Sequence, residues 1–333
     1  MSIIPKPKVL ITGASGAGTV DFIRALAATG EYELIGCDSS YASVGFTIVS
    51  RAYVIPLGAS PEFEPTIADI LEREQPDFVV PGVDEEIPKI HGLVARSWPK
   101  TRVLTPTPEF CRDTLDKWRM FERMAEAGLS VARTWLASDA EKATYPAIVK
   151  PRTGRGSRGL AFLDGPSDLD AYLKGATLSP EHYIVQERLL GREFTTSAVV
   201  ALGGPLLAVV PKEATAKKGI TQIGVTRHVP AIDTLCREIQ DKLRADGPFN
   251  VQLVLGEDGV PRVFEINPRY STTVALTLAS GVNEVDVVLR HALGKDPGRL
   301  TFEPNLMMIR YLSQIFVPEG SFAPTDAREW HKV

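Results

Sequence analysis

The chain has 333 residues, 44% of them hydrophobic and 23% charged, a globular composition that excludes fibrous and intrinsically disordered classes. At roughly 150 residues per domain it has room for two. Lysine and arginine number 37 against 41 aspartates and glutamates, a net charge of −4 without long single-sign blocks, which argues against nucleic acid or an anionic membrane as a partner. Cys37, Cys111 and Cys236 show no CxxC spacing. No apolar run approaches the roughly 18 residues that span a bilayer, and the start lacks a signal-peptide pattern, so a cytoplasmic protein is expected.

From the N-terminus, KVLITG, DFIRALAATG, YELIGCD, PTIADILERE and DFVVPG alternate apolar runs with helix-like segments. That rhythm predicts a Rossmann-like parallel sheet covered by helices over residues 1–105. The stretch TPTPEF closes this unit and leads into a helix-like DTLDKWRMFERM. Short β-rich runs then follow, among them VARTWL, YPAIVKPR, GLAFL, YIVQERL, FTTSAVVAL and PLLAVVP, with DLDAYLKG and DTLCREIQDKL reading as helices. Residues 106–300 therefore read as α+β, in contrast to the α/β first unit. The remaining 301–333 reads as a C-terminal extension, polar from Ser321.

Two apolar strands, VQLVL and VPRVFEIN, flank the turn GEDG, a strong hairpin signal. With Leu255 and Val260 beside the turn, Gln252 is expected opposite Val263. Alternation puts Val263, Glu265 and Asn267 on one face, with Gln252 projecting to the same side. Oxygen ligands of low formal charge suit Mg²⁺ that is also held by a substrate's phosphates. Arg269, of the same parity, carries a planar fork suited to those phosphates. A solvated surface hairpin is the competing explanation, and the apolar neighbourhood opposes it because buried polar groups need partners.

The segment FNVQLVLGEDGVPRVFEINPRYSTTVALT resembles the metal-binding end of the ATP-grasp ligases, in particular the carbamoyl-phosphate-synthetase-like branch, through Gln252, Glu265, Asn267 and Arg269. The resemblance implies that Glu265 and Asn267, assisted by Gln252, hold magnesium (manganese substituting) on the phosphates of ATP, and that Arg269 neutralises the phosphate in transfer. It implies two nucleotide-contacting lysines, Lys117 and Lys150, and a cover loop, PRTGRGSRGL, with Gly154, Gly156, Ser157 and Gly159 among Arg152, Arg155 and Arg158. Glycines let backbone N–H groups close on phosphate oxygens. It further implies an adenine hinge at Glu187, Arg188 and Leu189 and a ribose acceptor at Glu193. Lys212 and Arg227 are expected to face phosphate or a substrate carboxylate.

The implied fold is a Rossmann-like pre-ATP-grasp domain followed by a two-lobed ATP-grasp domain, with a lid at roughly 130–188. The implied activity is a ligase that turns a small-molecule carboxylate into an acylphosphate for attack by an amine or ammonia, in a homodimer as often in that family. Carbamoyl phosphate formation from bicarbonate is the narrower alternative. The chain has room for one unit and shows no Cys/His glutaminase signature.

A different class is suggested by KVLITGASGAGTV, where Gly13, Gly16 and Gly18 precede a helix and Asp38 ends the next strand, imitating the fingerprint of NAD(P)-dependent oxidoreductases. No tyrosine here has a lysine four residues later, so the acid/base pair of the short-chain enzymes is missing. A nonenzymatic ATP-binding regulator is a third reading, opposed by the full set Glu265, Asn267 and Arg269. Substrate specificity is expected in Gly13–Thr19, in Val83–Glu86 and in VVPKEATAKKGITQIGVTRH.

Overall fold

The computed structural model describes residues 5–156, 158–298, 300–319 and 329–330. The first unit runs β1 (Lys8–Thr12), α1 (Thr19–Thr29), β2 (Glu33–Asp38), β3 (Arg51–Val54), α2 (Phe63–Glu74), β4 (Phe78–Val80), α3 (Ile87–Ser97) and β5 (Arg102–Val103). Its strands are parallel in the order β3-β2-β1-β4-β5. Both faces are covered, as the near-continuous apolar runs require. Ile11 packs with Phe22, Ile23 and Leu26 of α1, while its neighbour Leu10 packs with Ile67 and Leu71 of α2 on the opposite side.

The expected helix DTLDKWRMFERM is broken in two, α4 (Pro108–Leu115) and α5 (Lys117–Glu126). Asp116 between them has extended backbone, and its carboxylate accepts the N–H groups of Trp118 and Arg119. An aspartate that caps the next helix is more stable there than inside a continuous one. Next come β6 (Thr134–Leu136), β7 (Ala147–Pro151), β8 (Ala161–Leu163), α6 (Pro166–Lys174) and β9 (Tyr183–Glu187). They form an antiparallel sheet in the order β6-β9-β7-β8.

The largest part of the chain follows as β10 (Arg192–Val200), β11 (Leu206–Lys218), β12 (Ile220–Thr226), α7 (Pro230–Leu243), β13 (Phe249–Leu255), β14 (Pro261–Asn267), α8 (Val274–Ala279), α9 (Glu284–Ala292), β15 (Met307–Ile309) and β16 (Glu329–Trp330). Here the sheet order is β14-β13-β10-β11-β12-β15. Beyond residue 300, β15 pairs with β12, and β16 pairs antiparallel with β3 of the first sheet. The rest of the polar stretch from Ser321 lies outside the described residues. Among the described residues no helix is long and apolar enough to cross a membrane.

The hairpin β13–β14 departs from its expected register. Gln252 pairs with Glu265, and Leu253 with Val263, so Phe264 is an extra residue in a bulge. A bulge resets alternation on its strand. Val263 and Ile266 consequently point into the core with Leu253 and Val251, and Val263 does not share the face of Glu265.

The first unit rests on the segment after β14. The rings of Phe22 and Tyr270 lie 5.9 Å apart, Tyr32 donates its hydroxyl to Asp286 at 2.7 Å, and a Cβ on Gly18 would stand 2.6 Å from the carbonyl oxygen of Ser271. That contact is backbone against backbone and has no side chain to yield. Gly18→Ala should lower stability by about 1–3 kcal/mol, the usual cost of overpacking, read as a reduced midpoint in urea denaturation; an unchanged midpoint would show that this contact is not tight.

Candidate active site

A cavity of about 360 Å³ opens between the β6-β9-β7-β8 sheet and the hairpin, and Lys117, Lys150, Gln252 and Glu265 all line it. Lys150 ends the apolar strand β7, on the same side as Ile148. It is only 5% exposed, and its ammonium donates to Gln186 Oε1 at 2.9 Å and to the Phe264 carbonyl at 3.3 Å. Burial pulls its pKa down to about 8, the cations Lys117 and Lys217 add to the fall, and Glu265 and Glu193 oppose it. No carboxylate neutralises it at bonding distance among the described residues, so it is a cation held ready for an anion.

Lys117 reaches the same cavity because Asp116 breaks the helix immediately before it. Asp116 also pairs with Arg152 at 2.6 Å, and the Lys117 N–H bonds the Arg152 carbonyl at 2.9 Å. Its ammonium donates to the Gly154 carbonyl at 2.8 Å, tying the first lysine to the glycine loop. Gly154 and Gly156 have φ of 115° and 69°, conformations that favour glycine, and both line the cavity. Ser157, expected in this loop, lies outside the described residues.

Glu187, Arg188, Leu189 and Glu193 also line the cavity. The Glu187 carboxylate accepts the N–H and Nε of Arg133, both at 2.8 Å, which fixes the chain where it leaves β9. Glu193 pairs with Lys217 at 2.5 Å. Lys217, Gln186 and Phe264 are members of the site that the sequence reading did not single out. Lys217 was hidden in the polar run TAKKG, and Phe264 depends on the bulge. Ile148, Leu160, Phe162 and Val254 supply apolar wall, the mixture of apolar surface with few polar groups usual for a small-molecule site.

Gln252 and Glu265 are directly opposed, as are Asn250 and Asn267 two residues along, so one carboxylate and several amides cluster at one end of the hairpin. Among the described residues no group of three His, Cys, Asp or Glu could cage a metal. That donor set fits a hard divalent cation completed by phosphate oxygens rather than one held by protein alone. Arg269 is largely buried, pairs with Asp84 of the first unit, and lies 3.5 Å from Asn267 Oδ1.

Two expectations are corrected. Lys212 is fully buried and lines neither cavity; it donates to Ser197 at 2.6 Å and Thr277 at 2.7 Å, and Ser197 passes a hydrogen bond to Glu284 at 3.1 Å. Burial depresses its pKa to about 8, against the pull of Glu284. Arg227 also lines neither cavity, its guanidinium engaged by Glu213 at 2.8 Å and Asn305 at 2.7 Å. Strand alternation aims Lys212 under the sheet, where it serves the core.

A second cavity, of about 670 Å³, lies between the first unit and the hairpin end. Gly13, Gly16, Gly18, Asp38, Glu85, Glu86 and Arg269 border it, and it shares Arg155 and Arg158 with the first. Asp38, the candidate ribose acceptor of a dinucleotide site, is already used: it accepts the N–H and hydroxyl of Ser15, both at 2.7 Å. The carboxylate thus closes its own glycine turn.

Residues 179–315 match the family described as ATP-grasp in the biosynthetic pathway with Ter operon. The carbamoyl phosphate synthase large chain of Rubrobacter xylanophilus is 28% identical over 79% of this chain and 26% of its own length. The chain spans 12–28% of the length of the first curated relatives it matches, the 12% being of the multifunctional protein CAD of Squalus acanthias. Among solved structures, an N5-carboxyaminoimidazole ribonucleotide synthetase in complex with ADP superposes with a TM-score of 0.72 at 17% identity, covering 93% of this chain and 83% of its own. The biotin carboxylase domain of 2-oxoglutarate carboxylase from Hydrogenobacter thermophilus, solved with MgADP and bicarbonate, gives 0.70 at 15% identity, covering 88% and 71%. These likenesses show the ATP-grasp fold.

Lys212→Met leaves Glu284 buried without its cation and should destabilise the protein by about 3–5 kcal/mol in urea denaturation, while ATP affinity stays within about twofold. A loss of ATP affinity in a folded variant would return Lys212 to the site.

Proposed function

We propose that this chain, which carries a single ATP-grasp unit, is a ligase that activates a small-molecule carboxylate with ATP and passes the acyl group to an amine or ammonia. The observation that carries this reading is the meeting of Lys150, Lys117, Glu265 and Gln252 with the glycine loop around one cavity, a set assembled from three separate stretches of sequence. In this reading 1–105 is the Rossmann-like preceding domain and 106–300 the ATP-grasp domain, with its lid at roughly 130–188. A cytoplasmic location accords with three free cysteines, and a homodimer is the assembly we expect.

The adenine would sit against Ile148, Phe162, Val254 and the Glu187–Leu189 hinge, with Glu193 accepting from the ribose. Lys117 and Lys150 would bind the phosphates, and the loop at Gly154–Gly156 would cover them, excluding water from an acylphosphate that hydrolysis would waste. Glu265, with Asn267 and Gln252, would hold Mg²⁺, which offsets phosphate charge when bound. Arg269, on the wall of the second cavity and 3.5 Å from Asn267 Oδ1, would stabilise charge on the phosphoryl group as it passes to the carboxylate. Phosphoryl transfer needs positioning and charge more than a base, which matches a site rich in cations and amides. Bicarbonate is the narrower alternative substrate; the 670 Å³ cavity favours something larger.

Glu265→Ala removes the one carboxylate of the cation site. It should lower ADP formation by about 10²-fold or more with any carboxylate and amine that the wild type turns over, with no loss of the folded state by circular dichroism. ADP release at the wild-type rate from this variant would overturn the assignment.

A further inference from the structure

The second cavity holds a carboxylate that the steps above do not use. Glu86, on the turn between β4 and α3, is 5% exposed and lines that cavity. Among the described residues its only side-chain partner is the hydroxyl of Thr12 on β1. Two of the three arginines on that cavity are committed elsewhere, Arg155 to Glu85 at 3.1 Å and Arg269 to Asp84, and no cation pairs with Glu86 among the described residues. Asp38 and Cys37 of β2 also face it, the first as a like charge. A buried carboxylate without a cation is costly, and burial first, then Asp38 and Glu85, raises its pKa to about 7.

The neighbouring carboxylates are already satisfied by the protein. Asp84 and Glu85 have their arginines, and Asp38 has Ser15. Among these four, Glu86 alone has neither a cation nor an N–H group bonded to its carboxylate among the described residues, and it stands beside a cavity that reaches the phosphate-end arginines.

We infer that Glu86 is the recognition group for the ammonium of the acceptor, which is a primary amine larger than ammonia, and that it takes the proton released when that amine becomes a nucleophile. The inference rests on the ligase reading and deepens it. In the step, R–NH₃⁺ gives one proton to the Glu86 carboxylate, the freed lone pair attacks the acylphosphate carbon, the C–O bond to phosphate breaks, and inorganic phosphate leaves. The second N–H proton departs with the phosphate. The cavity volume accommodates an acceptor of several heavy atoms, and its position beside Arg155, Arg158 and Arg269 puts the amine near the transferred group.

The test uses Glu86→Gln in the full chain. Because a raised carboxyl pKa costs stability as pH rises from the ordinary carboxylate range through about 7, the variant should unfold at a higher temperature than wild type at pH 8 and match it near pH 4, which establishes that it folds. Calorimetry at pH 8 with saturating Mg-ADP then compares glycine, L-alanine, ethanolamine and glycinamide with glycolate, L-lactate, ethylene glycol and glycolamide. We expect at least one amine to bind the wild type, its hydroxyl twin to bind about tenfold or more weakly, and Glu86→Gln to lose about tenfold or more of the amine affinity, with Mg-ATP affinity unchanged. Binding that ignores the amine, binding unaltered in Glu86→Gln, or binding by no member of the panel while Mg-ATP binds would overturn the inference and leave the ligase reading standing. A wild type that fails to bind Mg-ATP would overturn both.

Discussion

The site depends on the bulge in the β13–β14 hairpin. One extra residue, Phe264, lets Val263 and Ile266 stay in the core while Phe264 and Glu265 both border the nucleotide cavity. A regular strand would give that wall only alternate residues. Here two neighbours serve it together, Glu265 with its carboxylate and Phe264 with its ring beneath Lys150, 5.5 Å from the ammonium, and its carbonyl as a hydrogen-bond acceptor. The second lysine and the acidic ligand are thereby held in one frame by main-chain geometry.

A second junction works in the same way at the loop. Asp116 caps α5, pairs with Arg152 and so fixes Lys117 against the backbone of the glycine loop. The cations of the site come from a helix start, a strand end and a loop, and each is anchored by the protein: Lys117 by the Gly154 carbonyl, Lys150 by Gln186 and the Phe264 carbonyl, and Arg155 by Glu85. The first unit completes the set, since Asp84 and Glu85 hold Arg269 and Arg155 from across the interface. A substrate in the larger cavity would therefore touch the elements that hold the phosphate end.

Much of this is legible in the sequence because the chemistry sits at residues whose types are costly elsewhere. Glu265 and Asn267 flank an apolar Ile266, Lys150 ends an apolar strand, and three glycines crowd one loop; each needs a reason that ordinary packing does not supply. What was not legible depended on register and on fold-level contact. The turn register and the bulge each move the pairing by one residue, so Gln252 meets Glu265 instead of Val263, a change that no alternation pattern announces. Lys212, in VVPKEA, was expected to face phosphate or a substrate carboxylate, yet the face it takes is set by pairing with β10 and it ends among Ser197, Thr277 and Glu284. The short strand β3 was likewise settled by neighbours rather than by local pattern.

The central claim is that the cavity beside Lys150 and Glu265 is a Mg-ATP site and that the glycine turn at Gly13–Gly18 is not a dinucleotide site. Isothermal titration of the purified protein with ATP, with and without Mg²⁺, beside NADH and NADPH under the same conditions, tests it most directly. The account predicts magnesium-dependent ATP binding and no binding of either dinucleotide. Dinucleotide binding without ATP binding would contradict it and move the site to the glycine turn.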